Sequence, residues 1–309
     1  MSDPQAAIAV NDAALARAGR EAEKTKTDSP WRKTARLFLR HRLAVTGLVI
    51  FLIIGGMALF APWVATHDPN AISLTDRNLP PSMDHYFGTD RTGRDTFSRT
   101  VYAGRVSMAV GIASVAISIT VGTLLGAVAG FSGGWIDTLL MRFTDVMMTF
   151  PPVIIILTVA AIAGPGVGKT ILVIGLLNWP IPSRLVRAKF MSLREQEFVH
   201  AAEALGVSGS RTIRKHLLPN AIDVLIVYAS LGVASAILLE AGISFLGAGV
   251  QPPTPSWGNM LNVARNVSVL ENDPWLWMPA GVAVVLTVLA VNFIGDGLRD
   301  AYDVKGHGD

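Results

Sequence analysis

The chain has 309 residues, only 16% of them charged, against ~25% in ordinary soluble domains, and a net charge of +3. Mean hydropathy is +0.45. There is no cysteine, which excludes disulfides and thiolate chemistry; the six histidines are scattered with no i,i+4 pair, so no metal-ligating residue and no catalytic metal is expected. The basic residues fall in blocks, a pattern that speaks of membrane orientation and not of nucleic acid.

In chain order, residues 1–29 hold few large apolar side chains and read as a disordered cytoplasmic tail. Over 30–42, Trp31, Ala35 and Phe38 share a helical face among Arg32, Lys33, Arg36, Arg40 and Arg42. That suits an amphipathic helix lying on an anionic inner leaflet, the alternative being a helix docked on the bundle. Leu43–Thr66 then runs 24 residues without a charge, too long for a cleaved signal segment, and reads as a retained anchor.

A hydrocarbon core about 30 Å thick needs roughly 20 apolar residues as helix, because every backbone N–H and C=O must be paired internally. Spans are expected at about 43–65, 106–129, 146–166 and 275–296. Weaker ones fall at 170–188, which has only 14 uncharged residues between Lys169 and Arg184, and at 222–246, which Glu240 interrupts. The expected fold is an all-α membrane protein with six transmembrane helices. Its permease domain covers 43–298, with a cytoplasmic loop at 190–219 and a short tail at 299–309. With the N-terminus in the cytoplasm, 19 of the 26 Lys and Arg lie on the cytoplasmic side, which favours both termini inside. In the second span Gly122, Gly126 and Gly130 recur every four residues, which allows close helix approach and suggests an interface to a second permease.

Gly164-Pro-Gly-Val-Gly-Lys-Thr170 imitates a phosphate loop, but the pattern demands Gly at 163 and the chain has Ala163. No strand is expected before it, so it reads as a turn between spans. The loop 184–220 is more informative. Phe198, Ala201, Ala202 and Leu205 share a face of a short helix; Gly206 suits its C-cap, Ser208 or Ser210 the next N-cap, and Pro219 ends the turn that follows. Glu240, Asn178 and Asn292 are intramembrane polar residues. Glu240 reads equally as a pathway or inter-subunit group and as an internally paired carboxylate that fixes helix packing. Asp145 and Asp296, near span ends, read as structural. The loops 67–105 and Gln251–Gly258 could receive a soluble partner or simply seal the bundle.

Glu197-Phe-Val-His-Ala-Ala-Glu-Ala-Leu-Gly206, followed by Ile213 and Leu218-Pro219, resembles the EAA loop of binding-protein-dependent ABC importer permeases. Phe87-Gly-Thr-Asp-Arg-Thr-Gly-Arg-Asp95, Ser244-Phe-Leu-Gly247, Gln251-Pro-Pro-Thr-Pro-Ser-Trp-Gly258 and Gly295-Asp-Gly-Leu-Arg-Asp300 resemble the C-type permease of the dipeptide/oligopeptide/nickel branch. The resemblance covers roughly 30–303, with His200 standing where the motif has its first Glu. It implies a type I ABC importer transmembrane domain in the cell inner membrane. Glu197, Phe198, His200, Ala201, Ala202, Glu203, Leu205 and Gly206 would then contact an ATPase as a coupling helix. It also implies a second homologous permease, two cytoplasmic ATP-binding subunits that bind the ATP and magnesium, and an extracytoplasmic substrate-binding protein. This chain would bind no cofactor, perform no catalysis, and pass short peptides, with nickel or another small solute as the alternative. A self-contained secondary transporter usually shows several intramembrane charges and inverted repeats. A membrane enzyme would show converging acid, base or nucleophile sets. Neither pattern is present in the sequence.

Overall fold

Helices account for every regular element in the computed structural model, which describes residues 30–303; the tail expected at 1–29 and the last six residues lie outside the described residues. In chain order the helices are α1 (Pro30–Arg40), α2 (Arg42–Leu59), α3 (Ala61–Val64), α4 (Thr96–Ser132), α5 (Gly134–Thr149), α6 (Pro152–Ala163), α7 (Val167–Asn178) and α8 (Pro180–Arg194). Then come α9 (Glu197–Ala204), α10 (Gly209–Thr212), α11 (Leu218–Phe245), α12 (Trp257–Leu261), α13 (Val267–Asn272) and α14 (Met278–Asp303).

Among the described residues four helices are long and apolar enough to cross a membrane: Arg42–Leu59, Thr96–Ser132, Gly209–Phe245 and Met278–Tyr302. At most 39% of any of these apolar windows is buried within the chain, so the remaining apolar surface needs lipid or a partner to cover it. Two expected spans come out differently. The helix expected at 146–166 breaks at Phe150–Pro151, and α5 and α6 meet at a 78° bend that makes them a fifth span only if counted as one. Pro151 and Pro152 cause the break, since proline removes backbone donors and clashes with the preceding turn. The span expected at 170–188 is shared between α7, of 12 residues, and α8, of 15, which meet at Trp179. Asn178, Pro180, Pro182 and Arg184 dilute its apolar character.

α4 is the axis. Its 37 residues give about 55 Å at 1.5 Å per residue, longer than the hydrocarbon core. It packs on α2, α7, α8 and α11, while α14 packs on α2 and α11. The glycine ladder faces α8 of the same chain and not a second subunit: a Cβ on Gly126 would sit 2.3 Å from the Ser183 carbonyl, and one on Gly130 2.8 Å from that of Arg187. Intramolecular packing therefore occupies the surface first read as an interface. Three apolar clusters follow α4. One surrounds Trp257, Met108 and Ile237; a middle one holds Val110, Ile174 and Ala236; the last gathers Ala127, Val186, Phe190, Val199 and Leu217.

α1 docks on the bundle, the alternative to a purely surface-bound helix. Its buried face runs through Thr34, Leu37 and Phe38 while Ala35 is exposed, and the Phe38 ring lies against Gly297 of α14. The side chains of Trp31, Arg32 and Lys33 lie outside the described residues.

Candidate functional site

The loop between α8 and α11 builds a short helix at the end of the bundle. α9 packs on α8 and α10. Val199 and Ala202 are buried and hold it there, Val199 joining the Phe190–Leu217 cluster. Of the four residues expected to share a face, only Ala202 is on the packed side. Phe198, Ala201 and Leu205, three and four residues apart, point outward together, with Leu205 84% exposed. Glu197 and His200 are also exposed, whereas the side chain of Glu203 lies outside the described residues. Gly206 closes the helix in the left-handed region at φ 75°, and the Val207 N–H donates to the Ala202 carbonyl at 3.0 Å. A residue with a Cβ is strained there, although nothing crowds the position. Ser208 stands at the next N-cap without a side-chain hydrogen bond. Pro219 does not end the turn: it sits in the first turn of α11, after a π turn over Ile213–Leu217.

Charge pairs fasten this end of the bundle. Arg187 of α8 grips Asp137 of α5 through two nitrogens, Arg184 pairs with Asp145, and Lys189 reaches Asp223 of α11 at 3.0 Å. Asp145 is therefore structural, as expected. α8 carries the cationic ends of all three bridges and packs along the glycine ladder of α4.

The polar residues expected inside the membrane separate into three situations. Glu240 is fully buried, and both of its oxygens are satisfied within the chain. Ser107 Oγ donates to Oε2 at 2.8 Å and Ser244 Oγ donates to Oε1 at 2.7 Å. Each serine oxygen in turn accepts a backbone N–H, from Trp257 at 3.1 Å and from Val250 at 2.9 Å. Because each hydroxyl oxygen is occupied by an N–H, its one proton goes to the carboxylate. Glu240 is thus the internally paired carboxylate of the two readings, and it ties α4, α11 and the 250–257 segment together.

Asn178 lines a cavity of about 320 Å³ between α4, α6, α7, α8 and α11. Its Nδ2 donates to the Ile174 carbonyl at 2.8 Å, and its own carbonyl accepts the Tyr228 hydroxyl at 3.3 Å. Ser118 Oγ lies 3.2 Å from that hydroxyl, and Ser114 and Ser235 complete a polar stripe on largely apolar walls. Ser114, Ser118, Tyr228 and Ser235 were not among the residues expected to line a path. The spacing Ser107, Gly111, Ser114, Ser118, Gly122 carried a signal, a seam of small residues on one face of α4. Asn292 is half-buried on α14 and does not line the cavity.

At the other end of α4, the segment Phe87–Asp95 is a hook that starts the helix. The Asp90 carboxylate accepts the N–H groups of Thr92 and Arg94, the Thr92 hydroxyl and Arg94 Nε. Burial pushes its acidity the other way, yet these bonds hold the carboxyl below its ordinary value. Asp95 caps α4 by accepting the Ser98 N–H at 2.7 Å. In the Gln251–Gly258 loop, residues 251–254 are exposed while Trp257 is buried, its indole N–H donating to the Thr100 carbonyl at 3.1 Å. The Gly164–Gly166 segment is a turn between α6 and α7, with a helix before it where a phosphate loop needs a strand.

Comparison with known proteins agrees with this architecture. The family described as binding-protein-dependent transport system inner membrane component matches residues 122–305, and the N-terminal transmembrane domain of oligopeptide transport permease C matches 29–81. A putative peptide permease protein of Brucella suis is 50% identical over 276 residues, 89% of this chain and 91% of the relative. The probable D,D-dipeptide transport system permease protein of Escherichia coli K12 is 41% identical, covering 86% of this chain and 89% of the relative. The dipeptide transport system permease protein of Bacillus subtilis is 39% identical, covering 93% and 90%.

Proposed function

This chain belongs to the binding-protein-dependent transport system inner membrane components, and we propose on that premise that it is the C-type permease of an ATP-driven importer of short peptides. It is a multi-pass inner-membrane protein whose family works with an ATPase and a substrate-binding protein. The peptide assignment draws on relatives named for peptide and dipeptide transport. In the proposed assembly a second permease completes the path, two cytoplasmic subunits bind and split ATP, and both termini of this chain face the cytoplasm. The chain itself is non-catalytic, and the ATP and its magnesium are held by the partner subunits.

The observation that carries the reading is the ridge of Phe198, Ala201 and Leu205 on α9. These apolar side chains are held outward by a buried opposite face, and apart from the Phe198 ring beside His216 they leave a largely uncovered surface. A groove on another protein would cover them, with Ala201 small enough for close backbone approach. Moving an outward-open to inward-open balance from 1:99 to 99:1 takes about 5.5 kcal/mol of differential interaction. α9 sits on α8, and α8 runs back to Trp179 beside the cavity. That route gives a force delivered at α9 a rigid path to the polar stripe.

The test is Leu205→Glu, co-expressed with the ATPases. Uptake and stimulated ATP hydrolysis should fall at least tenfold, while the purified permease keeps its melting temperature, because Leu205 touches little of its own chain. Ala202→Arg is unsuitable, since Ala202 is buried and its loss would disturb packing instead. Normal uptake by Leu205→Glu would remove α9 from the coupling role.

A further inference from the structure

We propose that His67, His85 and Asp95 bind one divalent transition-metal ion of the zinc type, at the end of α4 opposite the coupling helix. The sequence separates these residues and no spacing motif joins them. The fold brings them together: His67 follows α3, His85 lies in the loop before the Phe87–Asp95 hook, and Asp95 is the N-cap of α4. One ligand atom from each falls within 4.8 Å of the others. Asp95 uses Oδ2 to accept the Ser98 N–H, which leaves Oδ1 turned to the two imidazoles. His85 Nδ1 is 2.9 Å from that oxygen and His67 Nδ1 is 3.8 Å from it, while the ring centroids are 4.7 Å apart.

Zinc places nitrogen and oxygen ligands about 2.0–2.2 Å away in a tetrahedron, so ligand atoms stand about 3.4 Å from one another. The two contacts to Asp95 Oδ1, at 2.9 and 3.8 Å, bracket that spacing, and the imidazoles would adjust to admit the ion. The His67 side chain is 42% exposed, and binding would exchange the contact of its Nδ1 with the adjacent Thr66 hydroxyl, 3.0 Å away, for the ion. Two imidazoles and one carboxylate favour zinc-type ions over calcium or magnesium, which prefer all-oxygen shells. The ion would displace the proton that His85 and Asp95 share. A fourth ligand has access too: His67 borders an open polar groove of about 500 Å³ that also contains Asp68, Asn70 and Tyr102. Capping α4 requires only Asp95; it does not account for two histidine rings converging on the oxygen the cap leaves unused.

The site stands independently of the transport reading, and its readout is metal content. Full-length chain carrying no polyhistidine tag, stripped by chelator in lipid nanodiscs, is equilibrated with Zn²⁺, and the bound metal is counted by elemental analysis. The wild type should retain one equivalent and melt at a higher temperature with Zn²⁺ than without. His67→Ala, at an exposed position, and Asp95→Asn, which keeps a capping oxygen, should each weaken binding at least tenfold, the lower end of what even outer-shell changes cost. His200→Ala should retain the metal. A wild type that takes up no zinc, an equivalent that survives both ligand variants, or a loss in His200→Ala overturns the assignment.

Discussion

Glu240 shows how an acidic side chain is kept inside a membrane protein without a basic partner. Leaving such a group in hydrocarbon costs a few kcal/mol. Here Ser107 and Ser244 each direct a hydroxyl proton at one of its oxygens while taking a backbone N–H on their own. Replacing Glu240 by Leu strands both hydroxyl protons in an apolar site, at about 1–3 kcal/mol for each unsatisfied group. Glu240→Gln keeps one acceptor and should be markedly milder. Thermal melting of the purified chain checks the order, and equal melting of the Leu variant and the wild type would show the network to be dispensable. The glutamate was visible in the sequence as an interruption of an apolar run, but its role was not. Ser107 lies 133 residues away and differs from other span serines only in what the fold places beside it.

Among elements, those whose cause is local were legible and those whose cause is a partner helix were not. The long apolar runs marked α2, α4 and α14, since lipid demands a satisfied backbone over a fixed length, and the weaker run that Glu240 interrupts became α11. The α9 helix was visible too, but which of its apolar residues pack on the bundle was not. Of Phe198, Ala201, Ala202 and Leu205, Ala202 alone turns inward, beside Val199, because a face shared at helical spacing does not say how the neighbouring helix divides it. The glycine ladder was read correctly as close packing and incorrectly as an interface, because a sequence does not say which helix fills a groove. That filling is now testable. Even the methyl of Gly126→Ala would meet the Ser183 carbonyl, so α4 and α8 must separate, at about 1–3 kcal/mol. Gly56→Ala, with nothing within 4 Å of its added carbon, should leave stability unchanged within about 1 kcal/mol. If transport also falls in Gly126→Ala, measured at a temperature where the variant remains folded, the α4–α8 contact carries motion as well as stability.

At the scale of the whole molecule, the helix count and the proposed orientation constrain each other. Termini on one face require an even number of crossings. Four helices qualify outright, and the bent pair α5–α6 adds a fifth when taken as one span. Five crossings would put the ends on opposite faces, against the 19-to-7 division of Lys and Arg. Evenness returns in two ways. If α7 and α8 cross together despite Asn178, Pro180 and Arg184, the total is six, and the Gly164–Gly166 turn lies on the face opposite the coupling helix. If α5–α6 and α7–α8 both dip in and return, the total is four, and that turn lies on the same face as α9. The packing of α8 along the lower half of α4, with α7 continuing beside Ser114 towards the N-terminal half, favours six. Because the chain has no cysteine, a single introduced thiol reports without background. Pro165→Cys should react with a membrane-impermeant maleimide in cells with a permeabilised outer membrane, whereas His200→Cys should react only after the inner membrane is opened. Simultaneous labelling of both from outside, or of neither, would mean that α7 and α8 do not cross, and the polar cavity would then lie in a re-entrant structure instead of between full spans.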